Sequence, residues 1–188
     1  MTAMDANDSD RLFVITGGPG SGKTTLIEAL VAAGLDTSPE VGRRIIQDQQ
    51  AVDGQALPWR DRGLFAEMML AFEMANHAAA ARQPGPVLFD RGVPDVIGYL
   101  DLIGFPVPDH MDRAARRLRY NRRVFIAPPW PEIYRNDGER RQDLDEAART
   151  YEAMVRTYGR YGYALVELPR APVESRVAFI LDVLARPA

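Results

Sequence analysis

Gly17-Gly18-Pro19-Gly20-Ser21-Gly22-Lys23-Thr24 is a complete GxxxxGK[ST] loop, and Lys23 is the only lysine in a chain whose Lys and Arg together number 23. The other 22 are arginines. Where this chain needs only a positive charge it uses the planar guanidinium, so the single ammonium marks a place that a fork does not fit. A phosphate cradle is such a place, because a compact point charge must reach between the β- and γ-phosphates inside a narrow backbone ring. The loop therefore implies a nucleoside triphosphate, with Gly17, Gly18, Pro19, Gly20, Ser21, Gly22, Lys23, Thr24 and Thr25 as its binding residues.

The flanks agree with that reading. Arg11 to Thr16 is a short apolar run suited to a buried strand, and Leu26 to Ala33 reads as a helix closed by Gly34. Glycines 17, 20 and 22 let the backbone turn its N–H groups inward, and the following helix adds partial positive charge at its N-terminus. The Thr24 hydroxyl is the expected Mg²⁺ ligand.

Composition bounds the remainder. A chain of 188 residues, 46% apolar and 26% charged, is long enough for one domain with a substantial core. A net charge of −3 gives no reason to expect a nucleic-acid or membrane surface. The absence of cysteine excludes disulfides, thiolate metal sites and a thiol nucleophile. No stretch is apolar for long enough to span a bilayer, and the first residues are acidic and polar rather than signal-like, so the expected compartment is the cytoplasm. The oligomeric state is left open.

Residues 1–10 read as a disordered lead-in to one domain over 11–188. Further along, strands are expected near 35–37, 87–90, 123–127 and 164–168. Helices are expected over 40–50, 61–82, 95–103, 109–120, 144–158 and 173–184. Strands alternating with helices imply an α/β fold in three layers around a parallel sheet of five strands. The charged, poorly periodic stretch within 128–142, entered through Pro128 and Pro129, reads as a lid.

Three further clusters carry chemistry. Phe89-Asp90-Arg91-Gly92 falls at the carboxyl end of the third strand, the edge where open α/β sheets bind ligands. Asp90 there either holds Mg²⁺ through water, accepts the proton of an acceptor hydroxyl, or merely caps the loop and pairs with Arg91. Motor ATPases normally end this strand in Asp-Glu, with the Glu orienting water; Arg91 in that place favours phosphoryl transfer to an acceptor and is a substrate-binding candidate. Glu40 and Arg43 stand beyond the second strand, either as contacts for acceptor hydroxyls or as an i,i+3 ion pair. In the lid, Arg135, Arg140 and Arg141 are candidates for neutralising charge on a transferring phosphoryl group, Arg140 first because Asp137 and Glu139 flank it; a solvated charged loop is the alternative. His77 and His110 have no ligand partner at metal spacing, and Trp59 and Trp130 either line a pocket for a base or anchor loops.

Taken in order, GGPGSGKTT, Glu40-Val41-Gly42-Arg43 and FDRGVPD at 89–95 resemble a family of P-loop ATPase/kinase domains of AAA type. That family includes the ribosylnicotinamide kinase domain of NadR and the TRPL translocation defect protein. Arg119-Tyr120-Asn121 and the stretch from Pro128 to Arg140 look like it as well, so the similarity covers about residues 11–182. The resemblance implies a P-loop kinase fold with strand order 2-3-1-4-5, ATP with Mg²⁺ at residues 17–24 and a lid over the phosphates. It also implies an acceptor side at Glu40 and Arg43 and a strand-end carboxylate at Asp90. Relatives of the NadR type carry a nucleotidyltransferase domain before the kinase; here the kinase-like unit alone is expected. The combined expectation is an ATP-dependent kinase acting on a small-molecule hydroxyl, with Lys23, Asp90 and Arg140 catalytic; a nucleotide-dependent ATPase switch is the alternative.

Overall fold

The computed structural model describes residues 9–133 and 144–186. Its centre is a five-stranded parallel sheet: β1 (Leu12–Gly17), β2 (Asp36–Ser38), β3 (Val87–Asp90), β4 (Arg123–Ala127) and β5 (Ala164–Glu167). The strands lie in the order β2-β3-β1-β4-β5, as the resemblance implied. In register, Ile15 stands beside Asp90 and Gly17 beside Ala127, so the loop after β1 and the end of β3 open on the same edge.

The period-2 geometry of a strand explains how three short runs build two cores. Leu12, Val14, Val87, Phe89, Val124 and Ile126 project to one face, where they meet Ile97, Met111 and Tyr158. Phe13, Ile15, Leu88, Phe125 and Ala127 project to the other, against Leu26, Leu30, Ile180 and Val183. Every residue of β1 is buried, which is why it reads as a continuous apolar run rather than an alternating one. The helices supplying these faces are α1 (Lys23–Ala32), α2 (Val41–Ala51), α3 (Arg62–Ala80), α4 (Val93–Leu102), α5 (Asp109–Arg117), α6 (Leu144–Arg160) and α7 (Val173–Ala185). Phe65 of α3 packs with Val41 and Ile45 of α2 in a third, smaller cluster.

Two boundaries differ from expectation for identifiable reasons. The first helix begins at Lys23 rather than Leu26, because Gly22, at φ 73°, turns the chain directly from the loop into the helix. At the N-terminus, Ser9 and Asp10 lie within the expected lead-in but form a 3-10 turn, Ser9–Arg11. Asn121 Nδ2 donates to the Asp10 carbonyl and Arg11 donates to the Ala81 carbonyl at 2.8 Å, so this turn is tied to the sheet and to the end of α3. Asp61 caps α3 by accepting from the Leu64 N–H at 2.8 Å. Of the expected lid, Pro131–Ile133 forms a 3-10 turn, and residues 134–143 lie outside the described residues.

The sheet edge is packed to backbone contact. A Cβ on Gly18 would stand 2.5 Å from the Ala147 carbonyl oxygen, so α6 rests directly on the loop. The motif permits any residue at that position; the packing of α6 does not. Gly18→Ala is expected to destabilise the fold by about 1–3 kcal/mol, the usual size of an overpacking defect, because the obstruction is backbone. The check is a thermal melt, where a chain of this length loses about 2–4 °C per kcal/mol.

Candidate functional site

The loop between β1 and α1 closes on its own lysine. Lys23 Nζ donates to the Gly18 carbonyl at 2.6 Å, to the Gly17 carbonyl at 3.1 Å and to Ser21 Oγ at 3.2 Å, while Ser21 Oγ donates to the Gly18 carbonyl at 2.9 Å. The ammonium is buried, so a guanidinium would have to spread its fork inside this ring of carbonyls. Thr24 and Thr25 sit exposed in the first turn of α1, where the helix N-terminus favours negative charge. Behind the loop, Arg176 of α7 donates through Nη1 to the Ser21 carbonyl at 3.3 Å and stacks over Trp130, 5.7 Å from the ring centroid. Burial lowers the Arg176 pKa from its ordinary value. No motif marks Arg176, so sequence reasoning passed over it; Trp130 proves to be an anchor beside the loop.

Asp90 ends β3 and is nearly fully buried. Burial raises its pKa, opposed chiefly by the Lys23 charge. Its Oδ1 has no hydrogen-bond partner among the described residues, and no ion pair joins it to Arg91 there. Arg91 turns away at φ 75°, a left-handed conformation unusual for a side chain with a Cβ. Its Nε donates to Glu40 Oε1 at 3.3 Å and its Nη1 to Asp95 Oδ1 at 3.3 Å. The flanking carboxylates, Glu40 foremost, hold the Arg91 pKa above its ordinary value against the opposing effect of burial.

Asp95, in the first turn of α4, is the organising carboxylate of this edge. Oδ1 accepts from Thr16 Oγ1 of β1 and from Arg91; Oδ2 accepts from the Gly92 N–H at 3.0 Å and from the Tyr158 hydroxyl of α6 at 2.6 Å. Burial, followed by the Asp95 charge, pushes the Tyr158 pKa well up. Asp95 closes the FDRGVPD segment, yet its sequence offers no sign that it faces four donors; only the fold brings Thr16 and Tyr158 to it.

Glu40, just before α2, both receives Arg91 and lies 4.0 Å from Arg43 Nε, so the expected i,i+3 pair exists beside the cluster. Glu40 and Arg91 line a cavity of about 370 Å³, together with Pro19 of the loop, Asp95, Glu73 and Tyr99. Arg43 is not among the lining residues. Trp59 reaches the cavity from its exposed loop, as one of its two expected roles required. Glu73 of α3, buried and unforeseen, completes the acidic group; burial first, then Asp95 and Asp90, push its pKa well above the ordinary carboxylate value. A glutamate inside a helix of Met and Phe residues gives no sequence cue to its neighbours. His77 is buried, with Nε2 on the Arg119 carbonyl at 2.8 Å, and burial lowers its pKa. The lid candidates Arg135, Arg140 and Arg141 lie outside the described residues.

A magnesium ion brought with a nucleotide suits the residues present. Among the described residues no cluster of three His, Cys, Asp or Glu could cage a metal by itself, but Mg²⁺ with nucleotides needs only one or two protein ligands beside the phosphates. The unpartnered, buried Asp90 oxygen and the exposed Thr24 hydroxyl meet that need.

A protein-family profile described as "AAA domain" matches residues 12–176. The chain belongs to this AAA-domain family. No curated protein is significantly similar to it in sequence. Among solved structures, a NadR protein in complex with NR superposes with a TM-score of 0.70 at 16% identity, covering 95% of this chain and 53% of that one. The chain thus spans about half the length of NadR. Thymidylate kinase from Ehrlichia chaffeensis matches with a TM-score of 0.61 at 14% identity, over 95% of this chain and 100% of that one. A deoxyadenosine kinase from M. mycoides, with dCMP and dCDP bound, gives 0.60 at 14%, over 92% and 97%. At these identities the likeness establishes a kinase-like P-loop fold for this AAA-domain protein. Among the described residues no helix is long and apolar enough to cross a membrane.

Two substitutions probe the site directly. Asp95→Asn keeps the shape but turns an NH₂ toward one of the two donor pairs, so a loss of about 2–4 kcal/mol is expected for a buried charged network broken on one side, read as a lower urea midpoint at unchanged m. Lys23→Arg is expected to melt within a few degrees of wild type yet bind ATP at least about tenfold more weakly by calorimetry, since the fork is too broad for the ring.

Proposed function

We propose that the protein is an ATP-dependent kinase that transfers the γ-phosphate to a hydroxyl of a small, nucleoside-like acceptor. The observation that carries this reading is the cavity beside the loop, lined by Pro19 on one side and by Glu40 and Arg91 on another. Hydrolysis needs only a water molecule; a pocket of this volume with aromatic walls suits a second organic molecule.

The chemistry divides among the chain's own residues. Lys23 and the loop N–H groups hold the β- and γ-phosphates. Thr24 and the Asp90 oxygen would hold the magnesium, which supplies charge neutralisation on the phosphates. Glu40 faces the cavity and takes the proton of the acceptor hydroxyl as its oxygen bonds to the γ-phosphorus; the bond from that phosphorus to the β–γ bridging oxygen breaks and ADP leaves. Arg91 holds the Glu40 carboxylate in place, and Arg43 adds charge outside it. Arg140, with Arg135 and Arg141, is proposed to cover the transferring group from the lid. ATP is preferred to GTP because the Asn-Lys-x-Asp guanine signature needs a lysine, and the only one stands in the loop.

The test is ADP release with ribonucleosides, deoxynucleosides and nicotinamide riboside as acceptors. At least one is expected to raise turnover well above basal hydrolysis, and Glu40→Gln to lower that stimulated rate about 10²–10⁴-fold with ATP affinity retained. If every acceptor left the rate at its basal level, the protein would be a plain ATPase or switch.

A further inference from the structure

Deep in the cavity, Glu73 is only 2% exposed, yet no hydrogen bond reaches its carboxyl from any described residue. A buried carboxyl without a partner costs folding free energy, and natural cores seldom retain one without use. Tyr99 of α4 repeats the pattern: its hydroxyl is buried, lines the same cavity and has no partner among the described residues. Its ring is fixed edge-on against Phe65, 5.6 Å between centroids, so the hydroxyl is held rather than free to swing to water. Two unsatisfied polar groups thus converge on a largely apolar pocket, the pattern of a site whose polar partners arrive with the ligand.

Charge narrows the ligand. Glu40, Glu73, Asp95 and Glu146 line the cavity against the guanidiniums of Arg62 and Arg91. Arg91 is already engaged by Glu40 and Asp95, and Arg62 is exposed in the first turn of α3. A phosphate entering beside Glu73 would meet carboxyls and an Arg91 already engaged by two of them, while the Arg62 charge reaches the cavity on the Tyr99 side from the exposed start of α3. Burial, ahead of the Asp95 charge, raises the Glu73 pKa, and a protonated carboxyl both donates and accepts a hydrogen bond, matching a neutral hydroxyl or amide-like group.

We propose that Glu73 is an acceptor-binding residue whose carboxyl, together with the Tyr99 hydroxyl, hydrogen-bonds an unphosphorylated acceptor, and that the acidic cavity excludes acceptors already carrying a phosphate. This rests on the cavity being the acceptor site. Glu73→Met and Glu73→Gln separate the roles. Methionine fills the same space without a polar group, so this variant is expected to melt at or above the wild-type temperature while its acceptor KM rises about tenfold, the worth of one buried hydrogen bond, and its ATP KM stays put. Glutamine offers a donor and an acceptor in the same shape and is expected to restore the acceptor KM to within about threefold of wild type. Calorimetry of wild type with a non-hydrolysable ATP analogue is expected to show a nucleoside binding at least about tenfold more tightly than its 5′-monophosphate. Stimulated turnover with an acceptor KM unmoved by Glu73→Met, or a monophosphate bound as tightly as its nucleoside, would overturn this inference while leaving the kinase standing. If no acceptor stimulated turnover, the proposed function would fall; if none bound by calorimetry either, the role of Glu73 would fall with it.

Discussion

The Asp95 carboxylate joins three stretches of chain that are far apart in sequence: Thr16 at the end of β1, the Arg91-Gly92 turn with the α4 helix that follows it, and Tyr158 of α6. Each oxygen takes two donors, which offsets the desolvation of a carboxyl group in a buried place. The consequence is geometric as much as energetic. Thr16 immediately precedes the Gly17–Thr24 loop, Arg91 belongs to the cavity, and α6 covers Gly18, so a single acid fixes the loop and the cavity relative to each other.

That arrangement explains the strain at Arg91. A left-handed φ of 75° in a residue with a Cβ costs about 1–2 kcal/mol. The two ion pairs that Arg91 forms, one to Glu40 and one to Asp95, hold the conformation in a mostly buried setting where charge-assisted hydrogen bonds are stronger than at a surface. The turn separates the roles of consecutive residues: Arg91 pairs with Glu40 and Asp95, while Asp90 Oδ1 is buried with no hydrogen-bond partner among the described residues.

The parts legible in the sequence are those whose signals are local. The loop, the strand at 123–127 and the alternation of strands with helices follow from spacing and apolar runs within a few residues. The order of the strands required the family resemblance, since no local pattern states which strand neighbours which. Asp95, Tyr158 and Arg176 escaped because their meaning lies in partners on distant parts of the chain, Thr16 with Asp95, Asp95 with Tyr158 and Ser21 with Arg176, and Glu73 because it has no hydrogen-bond partner among the described residues. Glu73 in particular occupies a helix whose periodicity is that of an ordinary packed face; burial of its carboxyl depends on where α3 meets the ends of β3 and α4. Asp90 was readable as a strand-end acid, whereas whether it pairs with Arg91 was not, because the partners of Arg91 are set by its left-handed backbone and by where Glu40 and Asp95 fall in the fold.

The lone lysine and the many arginines then follow one physical rule. Around Lys23 the partners are backbone carbonyls in a ring too tight for a fork, and a rotatable ammonium satisfies several of them in turn. At Arg91 the partners are two carboxylates on different elements, which a rigid planar guanidinium bridges through two separate nitrogens, Nε and Nη1. At Arg176 the same planarity lets one side chain stack on Trp130 while reaching the Ser21 carbonyl. Because Arg91 joins Glu40 to Asp95 and Asp95 joins Thr16, three hydrogen bonds connect Glu40 to the residue before Gly17. A lysine at 91 would put one nitrogen where the fork sets two apart, so both carboxylates would have to converge on a single point.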